Sequence, residues 1–284
     1  MQHDSEDLTT KPANDLVNKL DDTPANTLAN TLANTLANEL KIIYRDDCLI
    51  AINKPSGLLV HRTQIDKHDH NNALHQLRDQ TGLYLYPVHR LDKPTSGVLL
   101  FALNSENASF VAKQFEQHQV DKRYLGVVRG YTVGQQTIVH AVSDRDAPHK
   151  PKTPASTSYK TLAQLELPIQ IDRYPTTRYS LLEIAPLSGR RHQIRQHMKH
   201  ISHPLIGDSS YGKSSHNVFF RQHFNCHRLL LHAHSIRLTH PVTGSICNIT
   251  AENLDPSFQR VLAHEHWQWS GGQKSRVYLN TNCN

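Results

Sequence analysis

From Lys41 onward the chain alternates short apolar runs with polar breaks marked by glycine or proline. "KIIY", the turn "RDD" and "CLIAIN" have the length and branched side chains of a strand hairpin, and "KPSG" closes it. "NALHQLRDQTG" predicts a helix that ends at Gly82. "GVLLFALN" is a short, continuous apolar run and predicts a buried strand. "SENASFVAKQFEQH" places Ala108, Val111, Ala112 and Phe115 on one helical face, with Ser105 as the expected cap. "KRYLGVVRGYT", "TSYKTLAQLEL" and "RYSLLEIAPL" then read as successive strands.

The period changes in "SGRRHQIRQHMKHI". Ile194, Met198 and Ile201 fall on one helical face while Arg191, Arg195 and Lys199 line another, taken as exposed. "RLLLHAHSIRLTHP" reads as a further strand and "PSFQRVLAHEHW" as a closing helix. Strands in meander order mixed with helices predict an α+β body over 41–284 rather than a doubly wound sheet. Residues 25–40, "ANTLANTLANTLANEL", repeat every four residues with poor helix formers, and the acidic segment before them carries no core. Residues 1–40 are therefore expected to be a low-complexity, disordered extension without chemistry.

Composition narrows the function classes. No apolar run nears the roughly 18 residues that would span a bilayer, and "MQHDSEDLTT" has no apolar stretch of a secretory signal, so a soluble cytoplasmic protein is expected. Cys48, Cys226, Cys247 and Cys283 lie far apart with no CxxC pair, which excludes a disulfide framework. Charge is uneven: residues 1–40 carry seven acids against two lysines, −5, so a net charge of +6 leaves +11 on the remainder. A body that basic suits a polyanionic partner, most often nucleic acid.

Dinucleotide, P-loop, zincin and nucleophile-elbow motifs are absent, and Ser96 lacks the elbow's glycines. His223, Cys226, His227, His232 and His234 cluster in "HFNCHRLLLHAH", but their spacing fits no tetrahedral metal pattern, and no metal is expected.

Three segments remain: "NKPSGLLVH" (53–61), "VHRLDKPTSGVLLFALN" (88–104) and "SGRRHQIRQHMKHISHPLIGDSSYG" (188–212). With "KRYLGVVRG" lying between the last two, they resemble the RluA family of pseudouridine synthases over nearly all of 41–251. The forms "PVHRLDKPTSGVLL", "HPLIGDSSYG" and "RLLLHAHSIRLTHPVTG" are most similar to the C-type branch, whose members act on tRNA. Residues 1–40 are too short and acidic to be the S4 RNA-binding domain that many relatives carry.

The resemblance implies a pseudouridine synthase fold, a mainly antiparallel mixed sheet with flanking helices around a catalytic cleft. It implies isomerisation of uridine in tRNA, at uridine-65 of the T-stem, by a monomer without cofactor; an rRNA target is the alternative. Asp92 would be the reacting carboxylate, as nucleophile or as base on the sugar. Arg195 would be its counter-ion, Tyr124 would lie against the uracil, and Arg90 would either fill the gap left by the flipped nucleotide or contact phosphate. Lys54 and Pro55 are expected in the cleft wall beside Asp92, and His192 is expected to be a packing residue.

Overall fold

The computed structural model describes residues 39–61, 71–144, 146, 147 and 149–270. Strands β1 (Ile42–Arg45) and β2 (Leu49–Lys54) form the expected antiparallel hairpin. Asp46 closes it: one carboxylate oxygen accepts the N–H groups of Cys48 and Leu49 at 2.7 Å each, and the other meets Tyr44 and, at 2.9 Å, His240. Helix α1 (Ala73–Thr81) begins at Asn72, whose side chain caps His75 N–H, and stops at Gly82 in the left-handed region. After β3 (Tyr86–Pro87), strand β4 (Ser96–Ala102) is buried at every position, as its unbroken apolar run requires. Helix α2 (Ser105–Glu116) is capped by Asn104 rather than Ser105, because the Asn104 side chain reaches Asn107 N–H at 2.8 Å.

The remaining strands are β5 (Asp121–Arg129), β6 (Gln135–Val139), β7 (Ser156–Leu167), β8 (Thr177–Pro186), β9 (Leu231–Thr239), β10 (Ile246–Thr250) and β11 (Trp267–Trp269). The remaining helices are α3 (Gln193–His200), α4 (Ser214–Phe224) and α5 (Pro256–Leu262). Among the described residues the strands make one eleven-stranded sheet with the path β1-β2-β4-β9-β5-β8-β7-β11; β3, β6 and β10 pair with β4, β7 and β9. All its ladders are antiparallel except β4 with β9. The α+β architecture expected from the strand order is therefore present.

Apolar side chains pack against both faces of the sheet. One cluster joins Leu125, Val127 and Tyr179 to Phe220, Phe258 and Trp267; another, on the opposite side of β5, joins Val128, Leu182 and Ile184 to Ile194 and Met198 of α3. Alternation along β5 thus holds α3 on the face that carries Tyr124. Strands β3, β6, β10 and β11 and helix α4 were not apparent from periodicity; α4, "SSHNVFFRQHF", has too many Ser, His and Asn residues to show a clean stripe. The expected extension lies outside the described residues up to residue 38. Its last residue, Leu40, belongs to the body, being 5% exposed and bonded to Gln80 through both its N–H and its C=O. No described helix is long and apolar enough to cross a membrane.

Candidate active site

Asp92 lies in the turn that precedes β4, with Thr95 N–H donating to Asp92 C=O at 2.9 Å. Pro94 has no N–H for a ladder, so the strand begins only at Ser96. Two features fix this turn. Gly97 (φ 111°) sits so close to β9 that a Cβ would fall 2.1 Å from Ala233 C=O, so only glycine permits the parallel pairing. Behind the turn, fully buried Lys54 donates to the carbonyls of Pro55, Leu58 and Lys93 at 2.9, 2.8 and 3.2 Å. Ser56 adds a bond to Pro94 C=O at 2.7 Å, and Gly57 N–H one to Lys93 C=O at 2.9 Å. Lys54 and Pro55 therefore support the Asp92 turn from beneath and do not line the cavity in front of it. Burial, with Arg228 nearby, lowers the Lys54 ammonium to about 7.

That cavity, about 420 Å³, is bounded by Val88–Asp92, by Lys122 and Tyr124 on β5, and by residues 186–195 leading into α3. Arg90, Asp92, Tyr124 and Arg195 are all in its lining, so the fold brings together four residues far apart in sequence. Arg90 is exposed at its edge and pairs with no described carboxylate. A bulge in the β5–β9 ladder between Arg123 and Tyr124 re-aims the Tyr124 side chain locally. Burial raises the Tyr124 hydroxyl well above the usual tyrosine range, and the Asp92 charge raises it further, so it stays protonated.

Arg195 was expected on an exposed helical face. It is 4% exposed instead, and it carries two carboxylates. Its Nε and Nη2 donate to Asp208 at 2.8 and 2.9 Å, a bidentate pair, and its Nη1 donates to Asp92 Oδ2 at 3.3 Å. Burial opposes the Arg195 charge, but the two acids outweigh it and raise its affinity for the proton. Asp208 has a fully buried side chain and also accepts the N–H groups of Ser210 and Tyr211. Burial pulls its carboxyl upward, yet Arg195 and those N–H groups bring it below the usual range. Gly207, at φ 78°, lies where a Cβ would meet Arg228 C=O at 1.9 Å, which places Asp208 against α3.

The loop before α3 is pinned by Gln193, 3% exposed, which bonds Ser188, Arg190 N–H, Ser156 C=O and Thr157. Arg191 does not share the Arg195 face; it precedes the helix and pairs with Asp144 and Asp146. His192 caps α3 in the left-handed region, bonds the Tyr211 hydroxyl at 3.2 Å and places Nε2 3.8 Å from Asp92. Burial, with Arg195 and Arg191 nearby, lowers its basicity against the pull of Asp92. Lys122, 8% exposed, donates to Ser188 C=O at 3.1 Å, and burial brings its ammonium to about 8. Asp208, Tyr211 and Lys122 were passed over in the sequence; the one available signal for Asp208 was a lone acid between "LIG" and "SSYG".

The histidine-rich segment does not converge on a point. His232 uses one ring nitrogen on Ser96 and the other on Ala251 C=O, Cys226 is in the core, and His223 stacks on Phe219. Among the described residues Asp46, Cys48 and His240 lie with one ligand atom each within 4.8 Å of one another, where Asp46 also closes the first hairpin.

A family model described as RNA pseudouridylate synthase matches residues 48–200. A tRNA pseudouridine synthase C of Pectobacterium carotovorum subsp. carotovorum is 46% identical over 237 residues, 81% of this chain and 63% of that protein. Its namesake from Haemophilus ducreyi is 45% identical over 239 residues, 82% of this chain and 98% of that protein. Among solved structures, human RNA pseudouridylate synthase domain containing 1 superposes with a TM-score of 0.62 at 25% identity, covering 84% of this chain and 91% of the human one. With the "HRLD", "KRYL" and "GRRHQIR" boxes meeting in one cavity and relatives aligned over most of its length, the chain belongs to the RNA pseudouridylate synthase family, the RluA type that its sequence resembles.

Proposed function

We propose that this chain isomerises uridine to pseudouridine in tRNA, with uridine-65 of the T-stem as the target, acting as a cytoplasmic monomer. The observation that carries this reading is a partly exposed carboxylate, Asp92, held by a buried arginine in a cavity walled by Tyr124. The relatives named tRNA pseudouridine synthase C favour tRNA over rRNA.

The reaction breaks the N1–C1′ bond, turns the uracil, joins C5 to C1′, and moves the C5 proton while N1 gains one. It involves no net hydrolysis or redox change, so residues of this chain can suffice. Asp92 acts on the sugar as nucleophile or as base, and Arg195 holds its Oδ2 at 3.3 Å. Tyr124 receives the flipped uracil face, which recovers stacking lost on leaving the helix, and Arg90 at the cavity edge meets the RNA where the base departs. Arg195 at 3.3 Å stands closer to the carboxylate than His192 at 3.8 Å.

Purified protein incubated with unmodified tRNA, without added metal or nucleotide, should form pseudouridine at that one T-stem position. Loss of an rRNA pseudouridine with retention of the tRNA site in cells lacking the gene would replace this reading with the rRNA one.

A further inference from the structure

On the far side of the Asp92 turn lies a second cavity of about 610 Å³. The two share a wall. Asp92 and Thr95 face the first cavity and Lys93 and Pro94 the second; likewise Arg195 faces the first and its partner Asp208 the second. The second cavity is lined by three cations, Lys93, Arg221 and Arg228, and by His227. Its one carboxylate, Asp208, is already taken by Arg195 and by the N–H groups of Ser210 and Tyr211.

Lys93 and Arg221 are exposed and form no ion pair with any described residue. Arg228 is different: its side chain is 8% exposed, with Nε and Nη2 bonded to Leu229 C=O, Ser96 and Leu231 C=O. Its Nη1 has no hydrogen-bond partner, and the nearest acid, Asp255, stands 4.0 Å away. A buried guanidinium left this incompletely compensated raises the local positive potential. The start of α4 opens on the same space at Ser214, and the preceding Lys213 supplies no side-chain cap to its first-turn N–H groups. Cations together with an uncapped helix start favour a multiply bonded anion.

We propose that this second cavity seats the phosphodiester adjacent to the target nucleotide. The inference rests on the pseudouridine synthase reading: the Asp92 turn is the wall between the two cavities, and a strand with one nucleotide in the first can carry a neighbouring phosphate over that turn into the second. Lys93 and Arg221 close on the phosphate from the rim, and Arg228 supports it from below. The contact reads backbone and not base, so it fixes the register of the strand without adding sequence preference.

The test is a double variant, Lys93→Gln with Arg221→Gln, compared with a charge-matched control, Lys41→Gln with Lys160→Gln. With substrate tRNA, KM of the double variant should rise about tenfold, kcat should stay within about twofold, and the slope of log KM on log salt should fall by about one. Control values close to wild type complete the expected result. Equal KM and salt slope in wild type and double variant would overturn the proposal, as would an equal change in the control. A second arm needs no turnover: inorganic phosphate titrated into wild type should shift the His227 ring resonances, and the shift should be lost in the double variant. Wild type that makes no pseudouridine yet shows this phosphate response would defeat the functional reading alone; active wild type without it would defeat the phosphate site alone.

Discussion

Asp92 and Asp208 share one arginine and differ in everything else. Asp208 has a fully buried side chain, takes two short bonds from Arg195 and two backbone N–H groups, and has a carboxyl held below its usual range. Asp92 has a side chain 17% exposed, takes one 3.3 Å bond from the third nitrogen of the same guanidinium, and faces a cavity. A fully buried carboxylate with four hydrogen bonds can hold a structure but has no open side for a substrate. One with a single charged contact and an open side keeps lone pairs and room for a sugar. On the proposed function, the difference gives Asp208 the positioning of Arg195 and Asp92 the chemistry.

The sharpest break in this comparison is Asp92→Asn. Amide oxygen can still accept from Arg195, so melting temperature and RNA affinity should stay near wild type while turnover falls by on the order of 10²–10⁴-fold. Pseudouridine formation at ordinary rates, followed by site-resolved mapping, would reverse the assignment. Asp208→Asn should act mainly on the fold. Leaving buried Arg195 short of its main partner should cost about 3–5 kcal/mol in urea unfolding, with activity falling as a consequence. A stable Asp208→Asn protein with selective loss of kcat would instead make Asp208 a reacting group. Arg195→Met belongs to the same class, since it strands Asp208; the mild effect expected for an exposed helical arginine does not apply to one 4% exposed.

Lys54 sharpens the picture of the turn. Its proton is bound below pH 7 in the folded chain and below about pH 10.5 when unfolded, so the unfolded state holds more protons between those values. Stability should therefore rise with pH from about 7 towards 10 in wild type, and this rise should be smaller in Lys54→Met, as read from denaturant midpoints across the pH series. Identical slopes would show that Lys54 is not strongly desolvated. The smallest effect is expected from removing residues 1–38: little change in turnover or melting temperature, whereas Leu40→Ala in the full chain should lower stability, because Leu40 is buried in the core.

Much of this was legible in the sequence, for identifiable reasons. Continuous apolar runs such as "GVLLFAL" and the glycine stop at Gly82 report local physics, and they placed β4 and α1 correctly. The boxes holding Asp92, Tyr124 and Arg195 were legible through resemblance, since no local pattern says that residues 92 and 195 meet. Asp208 was not, because a lone acid in "LIGDSSYG" reads as a solvated turn until the fold closes α3 over it. Helical period similarly put Arg195 on a polar face with Arg191 and Lys199, but at Arg195 that face is buried against Asp208 and Tyr211, and the helix begins two residues after Arg191. Lys54 and Pro55 are expected in the cleft wall; the direction of the Lys54 side chain, away from the cavity and onto three carbonyls, is a tertiary fact.

The most direct test of the assignment is a structure of the Asp92→Asn protein bound to its tRNA. The account predicts the target uridine extruded into the first cavity, with its ribose against residue 92, its uracil on the Tyr124 ring, and the Arg195–Asp208 pair unchanged. A target uridine still stacked in its stem, or bound with its sugar away from residue 92, would contradict it.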